Sequence, residues 1–393
     1  MQPGQTISMI SVLIGRGNML LACAELVQRR GHRISVIVSD CLQVRAWART
    51  QAILLVSPTE DLANVLGREP FDLLFSIANH AITPPAVLAL PRIDAINFHD
   101  SLLPAYSGFN ATAWAILDGR AQHGVTWHRM TAAVDAGEIL LQRAVPIADG
   151  DTAFSLAARL SEVAVRLFDE LLLSLETGSL HPLAARPAEQ FHFKSDRPGL
   201  AALDWRQSSE QLARRVRAHD FGTEDNWMGR AKFVTPGGAF LIAGTVTHGV
   251  FTTAPPGAVD RVGTDAIEVH AADGVLVLSD LTTLEGDPLD LALLRGHGLV
   301  AGARLPQWEP GIVAAAEALD REVTRSERYW LSRLERFQGL QLSELKAHAA
   351  IGQPEFWSMA WPAALSRLSV PERQVALAAA LATHGARRGN TVP

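Results

Sequence analysis

Three side chains in the first half of the chain have the types and spacing to carry chemistry: Asn97, His99 and Asp135. Asn97 and His99 are two residues apart, so an extended segment turns both to one face. They end an apolar run, 95–98, that reads as a strand, and open α/β sheets take their ligands at the carboxyl ends of strands. Taken alone, an Asn-x-His at a strand end is more often structural. A third element changes the balance. Asp135 lies 36 residues after His99, in Val134-Asp135-Ala136-Gly137. An aspartate there is first of all a turn former, but it follows the strand-like run 124–130, which could lie beside the strand that ends at Asn97. An amide, an imidazole and a carboxylate would then converge. The amide can polarise a carbonyl and hold its oxyanion. The imidazole moves protons near neutral pH. The carboxylate orients the imidazole and favours its protonated form. Together they suit acyl transfer.

Other chemistries fit less well. Ser101 is close to His99 but lacks the Gly-x-Ser-x-Gly elbow of a nucleophile, since Asp100 precedes it and Leu102-Leu103-Pro104 follows. His99, His123 and His128 have no recognisable metal-ligand spacing, so no metal is expected. The turn Gly15-Arg16-Gly17 has Leu20 where a dinucleotide fingerprint needs its third glycine. It reads as a tight strand-to-helix turn. Cys23 and Cys41 have no Cys-x-x-Cys spacing and read as reduced thiols.

The elements that must position these residues alternate. Runs 7–14, 34–38, 53–56, 71–77 and 95–98 read as strands; 18–30, 42–50, 62–66 and 84–90 read as helices. This predicts an open, mostly parallel α/β sheet covered on both faces. Two further strands, 124–130 and 144–147, and a long amphipathic helix, 152–176, complete the layer. Residues 177–198 read as linker. Then the pattern changes to a helix at 208–218 and short strands at 232–234, 239–246, 266–270 and 275–281. That predicts a small β-rich, barrel-like domain. From 312 to 383 the chain is helical and Ala/Leu/Arg-rich. The expected divisions are 1–185, a linker at 186–205, 206–305, and a helical tail at 306–393.

Composition bounds the partners. Of 393 residues, 48% are apolar and 19% charged, enough apolar content for a large core. The net charge is −6, and only Lys194, Lys232 and Lys346 are lysines. An acidic balance argues against holding nucleic acid by its phosphates. The first residues lack the charged and apolar regions of a signal peptide, and no apolar run is long enough for a membrane span. The expected compartment is the cytoplasm, with no membrane partner.

Asn97-Phe98-His99, Ser101-Leu102-Leu103-Pro104 and Val134-Asp135-Ala136-Gly137 resemble the N10-formyltetrahydrofolate-dependent formyltransferases. The resemblance covers about the first half of the chain. It implies a Rossmann-like catalytic domain with Asn97, His99 and Asp135 as catalytic residues and 10-formyltetrahydrofolate as co-substrate. Residues 72–77 and 79–83 resemble the segment lining the family's pterin pocket. The residues implied to bind the folate are His80, Ala81, Ile82, Ser101, Leu102, Leu103, Pro104 and Val134. In the second half, His219-Asp220-Phe221-Gly222 and Pro256-Gly257 resemble the C-terminal domain of longer members.

Within that family, Gly108-Phe109-Asn110-Ala111-Thr112-Ala113-Trp114 and Gly124-Val125-Thr126-Trp127-His128 look like the formylation domains that open nonribosomal peptide synthetases. Glu327-Arg328-Tyr329-Trp330-Leu331-Ser332-Arg333-Leu334 resembles the linker to the next synthetase domain. The implied acceptor is an aminoacyl group on a carrier-protein phosphopantetheine arm, with the carrier protein and neighbouring synthetase domains as partners. Amino-sugar nucleotides and methionyl-tRNA are alternative acceptors, and a silent docking domain is the non-enzymatic alternative. The tRNA-using members carry basic residues after Ser-Leu-Leu-Pro. Here Ala105-Tyr106-Ser107-Gly108 follows, with no basic residue before Arg120.

Overall fold

A computed structural model describes residues 8–188, 190–224, 226–250 and 253–334. Five strands form the parallel part of the main sheet: β1 (Ile10–Gly15), β2 (Arg33–Val38), β3 (Leu54–Val56), β4 (Leu73–Ile77) and β5 (Asp94–His99). The helices between them are α1 (Gly17–Arg29), α2 (Leu42–Thr50), α3 (Leu62–Leu66) and α4 (Pro85–Leu88). β1 and β4 are almost wholly buried, as parallel strands covered on both faces must be. In α1, Met19, Leu20, Cys23, Ala24 and Val27 are buried on one side, which follows the helical period.

Next come β6 (Ser107–Gly108), α5 (Ala111–Leu117), β7 (Gln122–Arg129), β8 (Ile139–Pro146) and α6 (Ala153–Thr177). The seven-stranded sheet has the order β3-β2-β1-β4-β5-β7-β8. Its first four pairings are parallel, while β5–β7 and β7–β8 are antiparallel. The strand order reverses at β1 and β4, where doubly wound sheets open a crevice beyond their carboxyl ends. The Gly15 turn is a packing device there. A Cβ at Gly15 would lie 1.7 Å from the Ile77 carbonyl oxygen. Thr152 and Ser155 form a reciprocal cap at the start of α6. Trp127, Phe75 and Phe168 are fully buried between α6 and the sheet.

The segment expected as linker contributes structure. β9 (Phe191–His192) pairs in parallel with β6, and Leu183 bridges Ile139. After α7 (Ser209–Ala218) come β10 (Lys232–Val234), β11 (Phe240–Ile242), β12 (Thr245–His248), β13 (Val259–Val262), β14 (Ala266–His270) and β15 (Val275–Ser279). They make a β10–β11 hairpin and an antiparallel sheet ordered β12-β15-β14-β13, joined through the bridge Ile242–Thr282. The run read as one strand over 239–246 is broken at Gly244. A Cβ there would stand 2.7 Å from Asp280, so the chain bends from one sheet into the other. Trp205, Phe233, Ile267 and Leu278 form the core of this half.

After α8 (Leu291–Gly296), α9 runs over Pro310–Leu334. The chain divides into two compact units after Ala318. The tail motif at 327–334 is helical, and residues 335–393 of the expected tail lie outside the described residues.

Candidate active site

β5 and β7 place the polar side chains. Their register pairs Asn97 with His128 and His99 with Thr126. Both pairs share one face because the side-chain period of a strand is two. The Asn97 amide nitrogen donates to the Phe98 carbonyl at 2.8 Å and lies 3.1 Å from His128 Nε2. His128 Nδ1 meets the Arg129 carbonyl at 2.9 Å. A carbonyl only accepts, so Nδ1 carries the proton and Nε2 accepts from Asn97. Both amide hydrogens of Asn97 are therefore engaged.

His99 is buried. Its Nε2 donates to the Tyr106 carbonyl at 2.9 Å, which fixes the ring. Its Nδ1 faces Asp135 Oδ2 at 3.6 Å, with Asp100 Oδ1 at 4.0 Å. Asp135 Oδ1 also lies 3.6 Å from His128 Nε2. These separations are longer than hydrogen bonds. Orientation of His99 thus comes from Tyr106, and Asp135 supplies negative charge beside Nδ1.

Asp135 sits at φ +53°, with its side chain only 6% exposed. Gly108 N–H donates to its Oδ2 at 2.8 Å. Burial pushes this carboxyl up, but His128, the field of His99 and the Gly108 N–H together outweigh it. Its pKa falls below the ordinary carboxylate range, so Asp135 is ionised at neutral pH. Asn97, His99 and Asp135, separated in the chain, do converge at the carboxyl end of β5.

The turn Ser101-Leu102-Leu103-Pro104 contains a cis peptide before Pro104. Ser101 and Leu103 are buried, and the Ser101 hydroxyl donates to the Ala105 carbonyl at 2.6 Å. The Ser101 hydroxyl proton is thus spent inside the turn. Leu102 packs where any side chain at Gly124 would stand. Thr126 holds the turn from β7. Its hydroxyl donates to the Ser101 carbonyl at 2.6 Å and accepts from Gln142 at 2.9 Å and from Leu103 N–H at 3.3 Å.

The expected pterin loop lies after β4. Asn79 bridges both backbone groups of Ala81, and His80, Ala81 and Ile82 are exposed. Ile82 and Val134 leave 77% and 44% of their surfaces open, so both offer apolar surface to a flat ring. The His80 ring meets Trp227 edge-on at 5.0 Å, and Phe109 lies 6.3 Å from the same indole. His123 packs its ring edge on Tyr106, and burial holds it in the neutral form. Among the described residues, no group of three His, Cys, Asp or Glu side chains could hold a metal.

Sequence reasoning missed His128, Tyr106, Gly108, Thr126, Gln142 and Trp227. One signal was available: Thr126 and His128 alternate with Val125 and Trp127 on their strand, facing the same side as the Asn97–His99 pair.

Residues 57–172 match the formyl transferase family model. The chain carries a formyltransferase domain. It is 26% identical over 321 residues to methionyl-tRNA formyltransferase of Lachnospira eligens, covering 75% of this chain and 98% of that protein. It is 35% identical over 150 residues to GDP-perosamine N-formyltransferase of Brucella melitensis biotype 1, covering 38% of this chain and 57% of that one. The fold is shared with the N-formyltransferase of Helicobacter canadensis, solved with folinic acid and dTDP-3-aminofucose. That match has a TM-score of 0.56 at 14% identity, over 70% of this chain and all of that chain. Among the described residues, no helix is long and apolar enough to cross a membrane.

Proposed function

We propose that this formyltransferase moves a formyl group from 10-formyltetrahydrofolate to the primary amine of an aminoacyl group carried on a phosphopantetheine arm. The formyl-transfer part is carried by the convergence of Asn97, His99 and Asp135 at the carboxyl end of β5. The amine lone pair attacks the formyl carbon, the bond from that carbon to folate N10 breaks, and N10 takes up a proton as the amine loses one. Asn97 steadies the tetrahedral oxyanion through its amide, and the oxyanion competes with His128 for one amide hydrogen. His99, with ionised Asp135 beside Nδ1, holds or moves the proton. Donors placed before the reaction need no reorganisation during it, which is where such sites gain their rate.

The acceptor assignment rests on the loop after Pro104. Tyr106 and Ser107 are buried, and Ser107 and Gly108 pair with β9. That loop extends no basic arm, and phosphate backbones are held chiefly by Lys and Arg. The relatives' names divide between two other acceptors, methionyl-tRNA and amino-sugar nucleotides.

Intact mass spectrometry tests both. Aminoacyl-carrier proteins, amino-sugar nucleotides and aminoacyl-tRNA are incubated separately with the chain and 10-formyltetrahydrofolate. Formylated aminoacyl-carrier protein is the expected product. Formylation of the sugar or the tRNA alone overturns the carrier assignment. Formylation of none overturns formyl transfer itself.

A further inference from the structure

Two backbone groups hold the catalytic pair. The Tyr106 carbonyl takes the His99 Nε2 proton, and the Gly108 N–H reaches Asp135 Oδ2. Both belong to the short segment 106–108, which lies outside the main sheet. It is gripped instead by the segment that follows the catalytic domain. Ser107 and Gly108 pair with Phe191 and His192, and Phe109 N–H donates to the His192 carbonyl at 2.9 Å. The fit has no slack: at Gly108, with φ +96°, a Cβ would stand 2.1 Å from the His192 carbonyl oxygen.

The His192 side chain is used as a plate. Buried, and driven by that burial toward its neutral form, it stacks on Trp114 with centroids 4.1 Å apart and planes 19° apart. The Tyr106 ring also lies nearly parallel to it, at 6.0 Å and 14°. The far end of Tyr106 is fixed as well. Its hydroxyl donates to Asp118 and accepts from Arg120, each at 2.7 Å. Tyr106 is thus held at ring, hydroxyl and carbonyl. His123 and Arg120 meet its ring from within the first domain, and His192 meets it from beyond α6.

We infer that His192 is a positioning residue for formyl transfer: from the inter-domain segment it fixes the two backbone groups that place His99 and Asp135. The inference rests on the formyl-transfer reading. No residue of β9 needs to touch substrate. Its effect passes through Tyr106 and Gly108, and a displacement near 1 Å at reacting groups can cost about 10²-fold in rate.

His192→Ala and His192→Phe are compared with wild type. The alanine variant should lose roughly ten- to a hundredfold in kcat, with both KM values little changed. The phenylalanine variant restores a flat ring and should recover most of that loss. A second readout needs no turnover. In 13C-aspartate NMR, with the Asp135 signal assigned from Asp135→Asn, its titration midpoint should move up in His192→Ala as the Gly108 donor slackens. The groups facing Asp135 are His99 from β5, His128 from β7 and Gly108 N–H, and of these only Gly108 pairs with β9. A ring that merely filled space would lower thermal stability but leave kcat per folded molecule and the midpoint unchanged; that result overturns the inference. Should the alanine variant not fold, His192→Leu fills the slot without a flat face, and the same two readouts decide. If wild type transfers no formyl group, the functional reading falls, while the NMR midpoint still supports or overturns the clamp.

Discussion

The amide nitrogen of Asn97 stands 3.1 Å from Nε2 of His128, so the amide proposed to meet the oxyanion is itself held by an imidazole. Cross-strand pairing of β5 and β7 makes this contact unavoidable, since the two residues are direct partners in the ladder. His128 is tied in turn to the Arg129 carbonyl. Pre-orientation of Asn97 therefore depends on a residue of a different strand.

His128→Ala should leave Asn97 held by the Phe98 carbonyl alone. We expect kcat to fall on the order of tenfold or more, against about 10²–10³ for Asn97→Ala, which removes the donor itself. Because His128 acts partly through Asn97, the double variant should lose less than the product of the two single effects. Steady-state kinetics of the four proteins measures this. Fully multiplicative losses would show that the two side chains work independently.

Thr126 is the second hub on β7. Its buried hydroxyl serves the Ser101 carbonyl, the Leu103 N–H and Gln142 at once. Thr126→Val keeps the shape and strands these partners, and a buried polar group left unpaired costs about 1–3 kcal/mol. The variant should melt lower. It should also show a raised KM for the folate, because the turn at 101–104 is loosened. Equal thermal midpoints in wild type and variant would remove Thr126 from this role.

Much of the architecture was legible because its signals are local. The alternation of apolar runs and amphipathic spacing gave the parallel layer from β1 to β5 to within a residue or two at most ends. Asn97 and His99 could be paired from their spacing, and Asp135 from its glycine turn. What escaped depends on contacts between distant segments. β6 and β9 are two residues each, too short for any period, and exist only because residues 107–108 and 191–192 meet. His128 earns its place from the β5–β7 register, and Trp227 from a loop of the other half that returns to the catalytic domain. Val259–Val262 was hidden by its charged residues, Asp260 and Arg261, which a half-exposed strand accepts.

Asp135 makes stability depend on pH in a defined direction. Its carboxyl pKa is depressed in the fold. A depressed value means that the ionised group stabilises the fold above the unfolded value, near about 4, and that this contribution disappears as pH falls through the folded value. Asp135→Asn tolerates the same backbone, since asparagine accepts positive φ. The variant should therefore be less stable than wild type at neutral pH, by a constant margin down to about pH 5. The margin should then shrink in stronger acid. Urea midpoints at a series of pH values give the curve. A gap that stays unchanged down to about pH 2 would show that ionisation of Asp135 adds nothing.

Trp227 and Met228 separate binding from folding at adjacent positions. The 219–230 loop of the second half turns back on the first: Asp220 accepts from Phe154 N–H, and Met228 is fully buried in the catalytic core. Trp227 is half-buried, beside His80 of the loop after β4 and Phe109 of the segment after β6. The Lys194 ammonium lies 3.5 Å from its ring centroid, and Arg197 donates to its carbonyl at 2.7 Å. A cation over an indole is worth about 0.5–2 kcal/mol, enough to hold a rim but not a fold. Met228→Ala should cost about 2–5 kcal/mol of stability through the cavity it leaves, with kcat of the folded enzyme unchanged. Trp227→Ala should barely move the melting temperature and should raise KM several-fold, with kcat held within about twofold, as removal of uniform binding does. Melting curves and steady-state kinetics of the two variants decide. A Trp227→Ala enzyme with unaltered KM for folate and acceptor would place the indole outside the substrate path and leave it only a contact between the two halves.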